Sequence, residues 1–283
     1  MKRMLSFASR WIFLGFLVTA GIWFSASPAD AQAGSNAVYN SSGNCSTSSP
    51  CTPSTAFIDA SAVTQHADLC DTIYRSILSP PTYPAAGAVI DARGVGGSAL
   101  ACTHGTPWFE SGTGYVNKPA TILLPAATIT IAKTWILPNN THLIGEATNA
   151  PGSTGNLQTT IQTSSSSFTG AMIQFGDSNC PTTGCTGISV EQVTLHGSLA
   201  TANGIVNQNS GPQSYVDHVN MYQLLGTGLL VSGSGAYDSG PYNNITFNVA
   251  GTPNSSTVCV QILNAGKTRG IHGLTCISGT IAA

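Results

Sequence analysis

Apolar and polar positions in the second half of the chain recur with a long, regular period. Four segments align without internal gaps: ISVEQVTLHG from Ile188, SYVDHVNMYQ from Ser214, PYNNITFNVA from Pro241 and GIHGLTCISG from Gly270. Val193, Val219, Ile245 and Leu274 fall in one column, and Leu195, Met221, Phe247 and Cys276 in another two residues on. Apolar residues at i and i+2 are the pattern of a strand with one buried face. The anchor spacing is 26, 26 and 29 residues, and the longer step takes in the polar stretch GTPNSS at 251–256. Ile205, Val231 and Val260, each 14 residues before an anchor, suggest a second apolar column. A repeat of about 25 residues with two short strands and no helix predicts a solenoid. The Leu-x-x-Leu-x-Leu pattern of a leucine-rich repeat is missing, and a sandwich would not hold equal columns at constant spacing.

The bend between strands is also legible. Just before the anchor column stand Glu191-Gln192, Asp217-His218, Asn243-Asn244 and His272-Gly273, each pair following an apolar residue. A two-residue polar bend between strands needs one left-handed backbone position, which Gly and Asn tolerate best. Asn244 and Gly273 fill that second slot well; Gln192 and His218 are less suited to it.

The first half has less repetition. Val63, Leu69, Ile73 and Ile77 keep near-helical spacing, which predicts a helix over about 59–78, closed by Pro80 and Pro81. The runs GAVIDARG (87–94), ATILLPAATITIA (120–132) and TWILPNNTHLIGE (134–146) read as β-rich. At the start, Lys2, Arg3 and Arg10 precede an apolar run and a small-residue stretch, SASPADAQA, the pattern of a secretory signal peptide over residues 1–31. Residues 32–53 read as a Ser/Asn/Gly-rich linker, leaving residues 54–283 as one β domain. Past residue 31 the chain carries six Lys and Arg against ten Asp and Glu, a net charge of −4. Without a basic patch, nucleic acid is a poor partner, and no later run is suited to a membrane.

Eight cysteines in such a chain point to disulfides and a secreted, extracellular or periplasmic location. Cys45 with Cys51 and Cys180 with Cys185 can each staple one loop, and Cys70 with Cys102 can tie the helix to the first strands. Cys259 and Cys276 stay open between a bridge and small core residues. The absence of a CxxC pair in the sequence argues against zinc.

The helix containing DLCDTI, the strand GAVIDARG, Cys102 and the run KPATILLP…TWILPNNTHLIGE resemble the N-terminal part of secreted pectate-lyase-like proteins. The resemblance covers roughly residues 60–146, and the repeats extend it. It implies an all-β, right-handed parallel β-helix whose N-terminal helix caps one end. It also implies a polysaccharide or cell-surface glycan as partner, lyase or glycoside-hydrolase chemistry, and calcium as the cofactor of some members. The sequence departs from it as well: the Asn-Thr-Asp, Asp-Asp and Gly-His-Gly motifs of polygalacturonase-type members are missing, and the outward positions Val206, Leu230, Ser232 and Gln261 hold no acidic cluster. No cofactor is evident from the residues themselves. A non-catalytic adhesive β-helix or a structural fragment is the competing reading.

Glu191 and Asp217 are the candidate catalytic residues. They take equivalent places one repeat apart, and stacked strands lie about 4.8 Å apart. Retaining glycosidases hold their acid and nucleophile about 5–5.5 Å apart. A solvated ladder of bend residues, continuing through Asn243 and His272, is the plainer account. His218, Lys267, Arg269 and His272 are candidate substrate contacts, the cations because they can meet a uronate carboxylate. Trp108, Tyr115, Tyr237 and Tyr242 are candidates for stacking on sugar rings, although some of them must simply pack loops. Finally, the repeat places a further strand near 286–289, past Ala283. The reading is therefore a C-terminally incomplete stack whose uncapped end would self-associate.

Overall fold

The computed structural model describes residues 57–62, 68–78, 83–96, 99–103, 105–110, 114–148, 158–181, 183–250, 252–254, 257–263, 266–277 and 280–282. The leader, the linker and the proposed Cys45–Cys51 staple lie outside the described residues.

The described chain is mostly β, built from two long parallel sheets. The larger takes strands Phe57–Asp59, Ala88–Asp91, Ala120–Leu123, His142–Ile144, Ser189–Ala200, Tyr215–Leu224 and Tyr242–Asn248 in that order, ending on Ile271–His272 and Thr275–Ile277. Ser189–Ala200 is long enough to have two sets of neighbours. Its first residues pair with His142–Ile144, and Thr194–His196 pair with Thr160–Gln162. The second sheet stacks Trp135–Leu137, Ala171–Phe175, Asn203–Asn207, Thr227–Ser232, Val258–Leu263 and Thr280–Ala282. The apolar runs 120–132 and 134–146 each divide into two strands, because Leu124–Ala127 and Pro138–Thr141 turn the chain between them.

The interior is made of rows that run from repeat to repeat. Val193 pairs with Val219 and Val219 with Ile245; Leu195, Met221, Phe247 and Cys276 are likewise in register. Leu274 lies between Ile271 and Thr275, which pair with Tyr242 and Thr246 at the same 29-residue offset, and it packs against the core. A longer row joins both halves of the chain: Ile58, Ile90, Ile122, Leu143, Val190, Val216, Tyr242 and Ile271. Each fully buried aliphatic side chain in such a row contributes about 1.5–3 kcal/mol of transfer free energy.

The bend positions adopt the expected backbone. Gln192, His218, Asn244 and Gly273 have φ of 54°, 51°, 52° and 66°. The three side-chain-bearing residues accept a left-handed conformation because the rows on both sides of the bend hold the strands in place.

Three expectations need correction. The second apolar column is shifted by two residues in its middle member: Ile205 pairs with Leu229, and Leu229 with Val260, whereas Val231 pairs with Asn207 and Ile262. The cause is a bulge. Two extra residues separate His196 from Ala200 relative to Tyr222 and Leu224, and Ser198 and Leu199 take positive φ there. Hence 12 residues run from Val193 to Ile205 but only 10 from Val219 to Leu229. The outward row is consequently Gln174, Val206, Leu230 and Gln261, with Ser232 one step aside.

The helix is also shorter than predicted. Phe57–Asp59 pairs with Val89–Asp91 as a strand, Ala60–Ala62 is a 3-10 turn, and the α-helix spans Leu69–Leu78. Only Leu69, Ile73 and Ile77 keep a strict i, i+4 spacing, and all three are buried. Asp68 caps it: Oδ1 accepts the Asp71 amide at 2.9 Å and Oδ2 the Thr103 amide at 2.7 Å. Lastly, the strand expected near 286–289 occurs at Thr280–Ala282 and pairs with Val258–Gln261. Two residues separate it from Ile277, the same number as between Ala200 and Asn203 and between Leu224 and Thr227.

Disulfides join Cys70 to Cys102, Cys180 to Cys185 and Cys259 to Cys276. The first ties the helix to strand Ala99–Cys102; the third closes the open alternative for the last pair. Three bridges fit an oxidising compartment. Among the described residues no helix is long and apolar enough to cross a membrane.

Candidate functional site

Alternation along the strands sends every second residue to the outer face of the larger sheet. Two adjacent rows result just before the bend. One runs Ile144, Glu191, Asp217, Asn243 and His272; the other runs Thr121, His142, Ser189 and Tyr215. The candidate carboxylates Glu191 and Asp217 therefore face outward on neighbouring strands, as the repeat alignment placed them. His272 ends the same row, two strands beyond Asp217.

Each carboxylate has its own donors. Glu191 Oε1 accepts from Ser189 Oγ at 2.7 Å and from the Tyr215 hydroxyl at 2.8 Å. Ser189 Oγ in turn lies 2.7 Å from His142 Nδ1. Burial, and then the Glu191 carboxylate beside it, raise the Tyr215 phenol above its ordinary value, so it remains a donor at neutral pH. Asp217 Oδ1 meets His218 Nδ1 at 3.0 Å and accepts from Asn244 Nδ2 at 3.1 Å. His218 and Asn244 hold bend positions, so their left-handed backbone aims both side chains at the row.

Lys267 and Arg269 lie in the turn that leads into Ile271–His272, beside the turn 233–240 of the preceding repeat. Arg269 Nε and Nη2 donate to both Asp238 oxygens at 2.9 and 2.6 Å. That guanidinium holds the Asp238 carboxyl below the usual carboxylate range. The fork of Arg269 is thus engaged by Asp238, which bears on its proposed role in meeting a uronate. Lys267 accepts the Ser239 hydroxyl with its backbone oxygen at 3.1 Å.

The turns are pinned from inside. The buried Tyr242 hydroxyl donates to Ser239 Oγ at 2.9 Å and accepts from Asn207 Nδ2 at 2.9 Å, while Asn207 also donates to the Ser210 carbonyl. This corrects the stacking expectation for Tyr242 and for Trp108, which are both fully buried; Tyr115 is partly buried, and Tyr237 is 46% exposed. The interior supplies the Tyr242 hydroxyl with partners, so its polar end needs no exposure.

Sequence reasoning missed His142, Ser189 and Tyr215. Ser189 and Tyr215 stand two residues before Glu191 and Asp217, so strand alternation contained the signal for them. His142 pairs across 47 residues outside the repeat alignment and left none. A separate shallow cleft of about 270 Å³ lies at the turns after Thr128–Ile131 and Thr160–Thr163, lined by Lys133, Ser164, Ser165, Ser167 and Phe168. Among the described residues no three His, Cys, Asp or Glu side chains are grouped to hold a metal ion.

No protein-family model, no curated protein and no solved structure matches this chain.

Proposed function

We propose that the chain is a secreted, right-handed parallel β-helix of the pectate-lyase-like kind that engages a polysaccharide along the face carrying Glu191 and Asp217. Stacked repeats in two parallel sheets support the coil, and crossovers between parallel strands are right-handed in about 98% of cases. The observation that carries the ligand reading is the pair of outer rows from His142 to His272, hydrogen-bonded from His142 through Ser189 and Glu191 to Tyr215. They present hydroxyl, imidazole, amide and carboxylate groups at the regular spacing of the strands, a surface suited to a hydroxyl-rich polymer. Glu191 and Asp217 are its candidate acid and nucleophile, with His218 and His272 as contacts and with Lys267 and Arg269 in the adjoining turn.

A second reading has an observation of its own. Both carboxylates are already held by protein donors, an arrangement suited to rigid binding without turnover. A polysaccharide panel with and without calcium separates the two, read by unsaturated-product absorbance, by reducing ends and by retention on immobilised glycan. Product that is lost in Glu191→Gln and Asp217→Asn supports an enzyme. Retention without product supports an adhesin, and neither signal from any glycan refutes the polysaccharide reading.

A further inference from the structure

The sequence His142, Ser189, Glu191 and Tyr215 has a direction that follows from counting protons. An ionised carboxylate only accepts hydrogen bonds, so both groups on Glu191 Oε1 must donate to it. Ser189 has one O–H, and that proton is directed at Glu191. Toward His142, Ser189 Oγ can then only accept, and at 2.7 Å the donor must be His142 Nδ1–H. A neutral imidazole carries one N–H, so Nε2 keeps its lone pair. Nε2 has no hydrogen-bond partner among the described residues, and the histidine is partly exposed.

We propose that His142 is the proton-accepting group of this face, held as the Nδ1–H tautomer by Ser189 and Glu191, with Nε2 offered to a hydroxyl of a bound glycan. Ser189 is fully buried and its proton is committed, so it is a positioning residue and not a nucleophile. In a proton transfer the O–H electron pair stays on the ligand oxygen, the proton goes to Nε2, and Glu191 balances the imidazolium charge through Ser189. The neighbouring groups leave that charge no competing carboxylate in contact. Thr121 faces His142 from the strand on the other side, Ile144 is its own-strand neighbour on this face, and Tyr215 and Asp217 lie one strand beyond Ser189. The glycan as ligand rests on the function proposed above; the tautomer does not.

The test is a long-range proton–nitrogen NMR correlation on the ¹⁵N-histidine-labelled protein, at a pH where the ring is neutral, with His142→Gln to assign the signal. A protonated Nδ1 and an unprotonated Nε2 are expected, and Ser189→Ala should return the ring toward the Nε2–H form that free histidine favours. A wild-type Nε2–H tautomer, or a tautomer unmoved by Ser189→Ala, overturns the inference whatever the glycan panel shows. With an oligosaccharide that the panel finds to bind, the Nε2 signal should shift and His142→Gln should weaken binding roughly tenfold, the equivalent of one hydrogen bond. Binding that leaves Nε2 unmoved overturns the ligand role. An Nδ1–H tautomer beside an empty panel refutes the glycan reading and leaves the held acceptor standing.

Discussion

Position 192 offers a direct measure of how strongly the stacked rows constrain the bend. Gln192 is exposed, has φ of 54°, and its bend is shared with His218, Asn244 and Gly273 at φ between 51° and 66°. An ordinary side chain in the left-handed region costs roughly 1–2 kcal/mol. Glycine removes that cost but gives back about 0.5–1 kcal/mol in unfolded-chain entropy. Gln192→Gly should therefore stabilise by about 0.5–1 kcal/mol, and Gln192→Asn by a similar or smaller amount. Valine is crowded at Cβ and is a backbone outlier at positive φ, so Gln192→Val should lose at least 1 kcal/mol. Urea denaturation gives the order through the midpoint, with an unchanged m-value marking a pure stability effect. For a domain of this size each 1 kcal/mol moves Tm by about 2–4 °C. If Gln192→Val matched or exceeded the wild type, or if Gln192→Gly lost stability, the left-handed bend would be refuted.

Ile245→Ala empties the middle of the row between Val219 and Leu274, and should cost about 2–5 kcal/mol in the same denaturation assay. The bridge between Cys259 and Cys276 closes a 17-residue separation, so replacing both with serine should cost about 3 kcal/mol on the chain-entropy account and loosen the last repeat first, as read by hydrogen exchange. Asp91 is held below the ordinary carboxylate range by the hydrogen bond from Arg93, whose Nη2 lies 2.8 Å away. Its contribution is present above the unfolded carboxylate value near 4 and is lost as pH falls through the lower folded value. Asp91→Asn should accordingly flatten the stability-versus-pH curve on the acid side; an unchanged curve would refute the pairing. Gly228→Ala should destabilise, because an added Cβ meets the Phe247 ring and lies 2.6 Å from the Cys259 carbonyl oxygen.

Much of this architecture can be read along the chain. Val193, Val219 and Ile245 announce the row because parallel stacking repeats one chemical environment at a constant sequence interval. The bend is legible for the same reason: Asn244 and Gly273 suit a left-handed position, and Gln192 and His218 follow them by alignment. The carboxylate pair Glu191 and Asp217 was visible because one register step brings equivalent residues to adjacent strands. Ser189 and Tyr215 were implied by alternation, but nothing local says that two hydroxyls converge on one carboxylate oxygen.

The sequence alone determined the repeat, the strand faces and the bend, since each depends on periods of two residues and of about 26, which a linear pattern records. The tertiary structure decided the register across turns of unequal length. The bulge at Ser198 and Leu199 shifts the second column because chain length is not conserved between strands, only the stacking is. It also decided that the Tyr242 hydroxyl turns inward and that His142 reaches Ser189. Contacts between residues 35 or 47 apart are set by how whole repeats pack, and neighbouring residues carry no trace of them.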